Sequence, residues 1–255
     1  MNISEYRVSQ AEDSRIFYLD SNQCGLLYYG AFHTFNPDDF QIKEIEKLWT
    51  SFRPTLAYSE GRLCPLIKNR TEAIEKYGEQ GFLRFLADRD EVKYRCLDPT
   101  LDNQTRFLMQ KRFHTYQIKV YFLLRRAIIE REIQGSKENS DSLLKIIKWF
   151  NKSRFFRGPI QNFADFEKYA SSLFPELESW REVPSSYFYS KQKGKFLFQI
   201  HEILMEYRDQ IMLNKLIKSL NQGNRIFALV GKSHVVAQET IILSRLLKKF
   251  RLQRH

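Results

Sequence analysis

Arg225-Ile226-Phe227-Ala228-Leu229-Val230-Gly231-Lys232-Ser233-His234 is the stretch that decides the fold. Five apolar residues in a row, bounded by Asn221-Gln222-Gly223-Asn224 on one side and Gly231 on the other, read as a buried strand. The strand runs into Gly-x-x-His, and a helix-like segment at roughly 237–250 follows. The same arrangement occurs near the start, where Gly25 to Tyr29 (GLLYY) leads into Gly30-Ala31-Phe32-His33. A glycine at such a place permits a tight turn and close backbone approach. Strands that alternate with helices imply parallel pairing.

The intervening chain supports an α/β fold with a mostly parallel sheet flanked by helices. Arg15 to Asp20 and Gly25 to Tyr29, around Ser21-Asn22-Gln23, form a hairpin-like start. Asn36-Pro37-Asp38-Asp39 predicts a helix start with proline in the first turn, and Pro54 closes that helix. Thr55 to Ser59, ending on Glu60-Gly61, and Val92 to Leu97, closed by Asp98-Pro99, are further strands. Between them a helix begins near Thr71, is interrupted at Gly78-Glu79-Gln80-Gly81, and resumes at Phe82. From Leu101 to Ile133 the apolar spacing of Met109, Phe113, Tyr116, Val120, Leu123 and Ala127 predicts one long helix. Shorter helices follow at Leu143 to Phe150 and Phe163 to Leu173, after a polar break at Gly135 to Ser140. A second long helix spans Phe196 to Leu220. The whole, 1–255, reads as a single α/β domain that carries a helical insertion or lid at 101–180.

Composition narrows the function classes. The 255 residues include 43% apolar and 15% aromatic side chains, far from the signature of disorder. No apolar run reaches the roughly 20 residues of a membrane span, and Met1 to Gln10 lacks the pattern of a secretory signal. Cys24, Cys64 and Cys96 are odd in number and widely spaced, which fits a reducing compartment and a cytoplasmic location. The net charge of +11 is spread over several helices, so solvated helix faces explain it better than nucleic-acid binding. There is no G-x-S-x-G elbow and no glycine-rich phosphate loop. His201-Glu202 begins like a zinc motif, but Met205 stands where the second histidine belongs.

What remains is a set of polar side chains at strand ends: His33, Glu60, Asp98 and His234. Ligands of open α/β sheets gather there. Two imidazoles and carboxylates suit either a divalent metal that activates water or metal-free general acid and base catalysis. Asp98-Pro99 is equally well explained as a turn. Spacing alone makes Arg208-Asp209 a surface pair within a helix.

The ordered set GAFH, YSEG, YRDQIM and VGKSH, with YGEQGFLRFLADRDEVKYRCLDP between the early strands, resembles the superfamily of TIKI/TraB-like, erythromycin-esterase-like and haem-binding ChaN-like proteins. The likeness covers most of the chain except its helical middle. It implies an α/β fold whose site is built from both Gly-x-x-His motifs and the acidic strand end. Onto this chain it carries His33, Glu60, Arg208, Asp209 and His234, and it turns Arg208 and Asp209 from surface residues into site residues. The implied function is hydrolysis of an ester, lactone or amide in a small-molecule or peptide substrate. His33 or Glu60 would activate water, with or without a divalent metal (Mn, Co or Zn) on His33, Glu60 and His234. Arg208 would stabilise developing negative charge or hold Glu60, and Asp209 would orient a histidine. The alternative is a non-catalytic carrier of haem or another small molecule. Oligomeric state is open.

Overall fold

A computed structural model describes residues 3–10, 14–21, 23–61, 63–134, 140–152, 158–191 and 195–252. Asn22 of the first turn, residues 135–139 of the polar break and the terminal His255 lie outside the described residues. The chain divides into two compact units, one of residues 1–100 with 208–255 and one of residues 101–207.

The first unit is α/β. Its sheet has six strands: β1 (Ile3–Gln10), β2 (Arg15–Ser21), β3 (Gly25–Ala31), β4 (Leu56–Ser59), β5 (Lys93–Cys96) and β6 (Arg225–Gly231). Their order is β1-β2-β3-β6-β4-β5. β1, β2 and β3 pair antiparallel, whereas β3–β6, β6–β4 and β4–β5 are parallel. β2 is therefore the one strand of the six that runs against the rest, and the sheet is mostly parallel. The last strand in sequence, β6, lies between β3 and β4, with Ala31 opposite Gly231 and Ser59 opposite Leu229. That placement brings the chain leaving β3, β4 and β6 to one edge of the sheet.

Strand alternation sorts the core into two layers. Leu27, Tyr29, Ala57, Phe227 and Leu229 face α1 (Phe40–Phe52) and α2 (Arg70–Arg89), with Trp49, Ile74 and Phe82 filling the layer. Leu26, Tyr28, Tyr58, Ile226 and Ala228 face the other way, onto Met212, Leu216, Val235 and Ile242. These come from α7 (Phe196–Asn221) and α8 (Lys232–Leu252). Every residue of β3 is buried, as a strand covered by helices on both sides requires.

The second unit is helical: α3 (Leu101–Gln110), α4 (Thr115–Gln134), α5 (Ser140–Lys152), α6 (Phe163–Leu173) and the first turns of α7. Its own core includes Leu123, Phe150, Phe166, Trp180, Ile200 and Leu204. Asn162 and Asp165 form a reciprocal cap at the start of α6. Lys119 is buried here, and its Nζ donates to the Ile160 carbonyl at 2.8 Å.

Three expectations change, and one strand is added. The helix expected to run from Leu101 to Ile133 is two helices, because Arg112 takes a left-handed φ of 67°. The periodicity hid the break, since Leu108 and Tyr116 pack on the same core from either side of it. Asn36-Pro37 precedes the first helix as a turn. Asn36 Oδ1 accepts from the Asp38 N–H at 3.0 Å, and Asp39 is the true cap, accepting from the Gln41 N–H. The last helix starts at Lys232, five residues earlier than Ala237, so His234 lies in its first turn. Strand β1 was unforeseen: its polar sequence ISEYRVSQ carries little strand signal by itself, and pairing with β2 defines it.

The early start of α8 has a steric condition. A Cβ placed on Gly30 would lie 2.8 Å from Lys232 Cα and 2.9 Å from Val235 Cγ2. The glycine of the first Gly-x-x-His therefore lets the helix carrying the second histidine sit against β3. Gly30→Ala should destabilise the fold by roughly 1–3 kcal/mol, measured by urea unfolding. Wild-type stability in that variant would show that the close approach is not required.

Candidate functional site

Glu60, Asp98, Arg208, Asp209 and His234 meet at the carboxyl edge of the sheet. Glu60 follows β4 and Asp98 follows β5, while Arg208 and Asp209 are neighbours on α7. Arg208, 3% exposed, donates from Nε and Nη2 to the two carboxylate oxygens of Asp98 at 2.9 and 2.8 Å. The same Nη2 donates to Glu60 Oε1 at 2.6 Å. Glu60 Oε2 accepts from the backbone N–H of Gly231 at 2.7 Å. Here the glycine of the second Gly-x-x-His has a purpose of its own: a Cβ on it would lie 3.3 Å from that oxygen.

His234 is bracketed by carboxylates. Its Nδ1 lies 2.6 Å from Asp209 Oδ1 and its Nε2 lies 3.2 Å from Glu60 Oε1. Ionised carboxylates only accept, so both ring nitrogens must carry protons. Burial works to lower the pKa of this imidazole, but the bonds to Asp209 and Glu60 and the charge of Glu60 outweigh it, raising the pKa to about 9. Glu60 goes the opposite way. Burial works to raise its pKa, but the bond and charge of His234, the charge of Arg208 and the Gly231 N–H hold it well below the usual carboxylate range. The cluster thus holds three carboxylates and two cations.

Three further side chains set this arrangement. Gln238, one helical turn beyond His234, donates from Nε2 to Asp209 Oδ1 at 2.7 Å and accepts from the Tyr28 hydroxyl at 3.1 Å. Lys215 Nζ donates to the carbonyls of Cys96, Leu97 and Asp98 at 3.1, 2.6 and 2.9 Å, which fixes the turn that presents Asp98.

His33 stands beyond the end of β3, with its side chain 46% exposed. Its Nδ1 lies 2.7 Å from Oε1 of Glu79, a carboxylate on α2 that is 3% exposed. The other oxygen, Oε2, accepts from the Thr34 N–H at 3.3 Å. Glu79 reaches this position because α2 breaks at Gly78, whose φ of 63° and ψ of −152° are not helical. A Cβ on Gly78 would lie 2.8 Å from the Thr34 carbonyl, so a larger residue would push the two segments apart.

The structure joins Glu60, Arg208, Asp209 and His234 in one bonded network and gives His33 a carboxylate partner of its own. Glu79, Gln238 and Lys215 were not foreseen as site residues. For Glu79 a signal existed: an acid framed by Gly78 and Gly81 inside a helical pattern. Asp98, weighed equally as turn or ligand, is the second carboxylate on Arg208.

Among the described residues no three His, Cys, Asp or Glu side chains are grouped to hold a metal ion. As ligands, His234 would have to lose a proton and Glu60 its guanidinium partner, so the donors as arranged do not fit the expected set of His33, Glu60 and His234. Among the described residues no helix is long and apolar enough to cross a membrane. In comparisons with known proteins, no family model, curated protein or solved structure matches the chain.

Two stability predictions follow from the bonding. Arg208→Leu strands Glu60 and Asp98 as buried carboxylates and should cost about 3–5 kcal/mol at neutral pH, read by urea unfolding; a loss under about 1 kcal/mol would contradict the pairing. The pKa of His234 is raised on folding, from 6.5 to about 9. Its contribution is therefore complete below pH 6.5 and is lost as pH rises through 9. Melting temperature should fall across that window and fall less steeply in His234→Gln. Identical slopes in the two proteins would rule out a charged His234.

Proposed function

We propose that the chain is a hydrolase of ester, lactone or amide bonds, with His33 as general base and His234 as general acid. One observation carries this reading: imidazoles beyond the ends of two neighbouring parallel strands are each held at Nδ1 by a carboxylate, Glu79 at 2.7 Å and Asp209 at 2.6 Å. A carboxylate on Nδ1 fixes the tautomer and orientation of the ring and leaves proton transfer to Nε2. The motif likeness to hydrolytic proteins points the same way.

The two rings have different tasks because their surroundings differ. His33 is half-exposed and can take a proton from water as it attacks a carbonyl carbon. His234 is buried and kept protonated by two carboxylates, so it can give its Nε2 proton to the departing oxygen or nitrogen. That proton sits on the longer of its two bonds, 3.2 Å to Glu60 against 2.6 Å to Asp209. Glu60 itself is a poor base, because Arg208, His234 and the Gly231 N–H all bond to it and hold it ionised. Arg208 is fully engaged by Asp98 and Glu60 and acts by positioning them. Backbone N–H groups in the first turn of α8, which begins at Lys232, would face negative charge developing on the carbonyl oxygen.

The test is turnover on aryl esters, lactones and peptide anilides. At least one class should be hydrolysed faster than in buffer. His33→Ala should lower kcat/KM by about 100-fold or more, and Glu79→Gln should lower it while the protein stays folded by circular dichroism. No acceleration of any class, or wild-type turnover in His33→Ala, would overturn the reading.

A further inference from the structure

Exposed apolar side chains flank His33 in sequence. Phe32 is 65% exposed and directly precedes it; Phe35, Leu63, Leu66 and Tyr77 are exposed as well. They come from the segment after β3, the segment after β4 and the turn of α2 just before Gly78. These segments approach one another around Gly78 to Gln80 of α2. Glu79 bonds to His33 and to the Thr34 N–H, and a Cβ on Gly61, just after β4, would lie 3.5 Å from Oε1 of the neighbouring Gln80. The Phe35 ring lies 3.6 Å from the Cβ position of Gly78, which follows Tyr77.

The exposure of Phe32 is built in by its backbone. Gln41, 3% exposed, accepts from the Phe32 N–H through Oε1 at 2.9 Å and donates from Nε2 to the Phe32 carbonyl at 3.1 Å. A buried amide thus spends both its donor and its acceptor on this one residue. The clamp acts as an extra rung beyond the end of β3 and fixes the segment that carries Phe32 and His33. An aromatic ring held outward at this place lacks the cover that makes burial favourable, and a ligand could supply that cover.

We infer that this rim receives the apolar acyl chain of the substrate, so that the preferred substrates are esters or lactones of medium-length fatty acids. The inference rests on the hydrolase reading for its chemistry, but the apolar site itself can be tested without turnover. Phe32 is then the specificity-determining residue, and Gln41 is a positioning residue for it.

Two measurements decide it. In the first, kcat/KM is compared across p-nitrophenyl esters from acetate to octanoate. Chain contact on a half-open rim should raise it roughly 2-fold per added methylene, and Phe32→Ser should collapse the octanoate-to-acetate ratio at least 10-fold. In the second, binding of straight-chain methyl ketones of five and eleven carbons is followed by ligand-observed NMR. The longer ketone should bind at least 10-fold tighter, and Phe32→Ser should remove most of that preference. Turnover with no chain-length dependence overturns the acyl site and leaves the hydrolase standing. Chain-dependent ketone binding without turnover supports the acyl site and overturns the hydrolase. A chain-length preference that Phe32→Ser leaves intact, or a substitution that changes only self-association in sedimentation, also overturns the assignment.

Discussion

The guanidinium of Arg208 is the group on which the site depends. It is buried, and it ties the turn after β4 to the turn after β5 through Glu60 and Asp98. Taking such charges out of water is costly, and only good geometry with nearly every polar atom paired offsets that cost. Here the offset comes from paired bonds to Asp98, the Gly231 N–H on Glu60, and the hold of Lys215 on the three carbonyls around Asp98. Removing any one member leaves another buried and unpaired. The network is therefore a registration device for three strand ends as well as an electrostatic one.

From that fixed carboxylate the chemistry of His234 follows. Glu60 stays ionised because Arg208 and His234 are cationic beside it, and His234 stays cationic because Glu60 and Asp209 are anionic beside it. Each condition supports the other, so the pair resists titration near neutrality. His33 lives under different rules: Glu79 holds its Nδ1, and about half of its side chain lies in solvent. Two histidines with the same local sequence pattern thus end in different surroundings, one buried between two carboxylates and one half in solvent.

Much of this was legible in the sequence, and the reasons are physical. GLLYY read as a strand and RIFALV as a buried one, and the Gly-x-x-His after each marked where chain and candidate site meet. The α/β class and the helical middle followed from those runs and from helical periodicity. The break at Arg112 did not, because core-facing residues keep their spacing across it. Polar networks were legible only in part. Glu60 stood at a strand end, but nothing in local spacing said that Arg208 would turn inward; the motif likeness supplied that. Gln238 and Lys215 act through contacts between residues far apart in sequence, to Tyr28 and to the turn after β5, and periodicity carries no trace of such pairings. Glu79 depends on the backbone break at Gly78, which sequence marked as an interruption without showing where it would aim the next residue.

The protonation state of His234 is the point on which structure and chemistry join. A ¹⁵N NMR titration of the imidazole nitrogens, with His234→Gln to assign the resonance, measures it directly. A ring carrying both protons at pH 7 and losing one near pH 9 is the expected result. A neutral ring at pH 7 would mean that Asp209 and Glu60 do not hold it as a cation, and its place as the acid would fall.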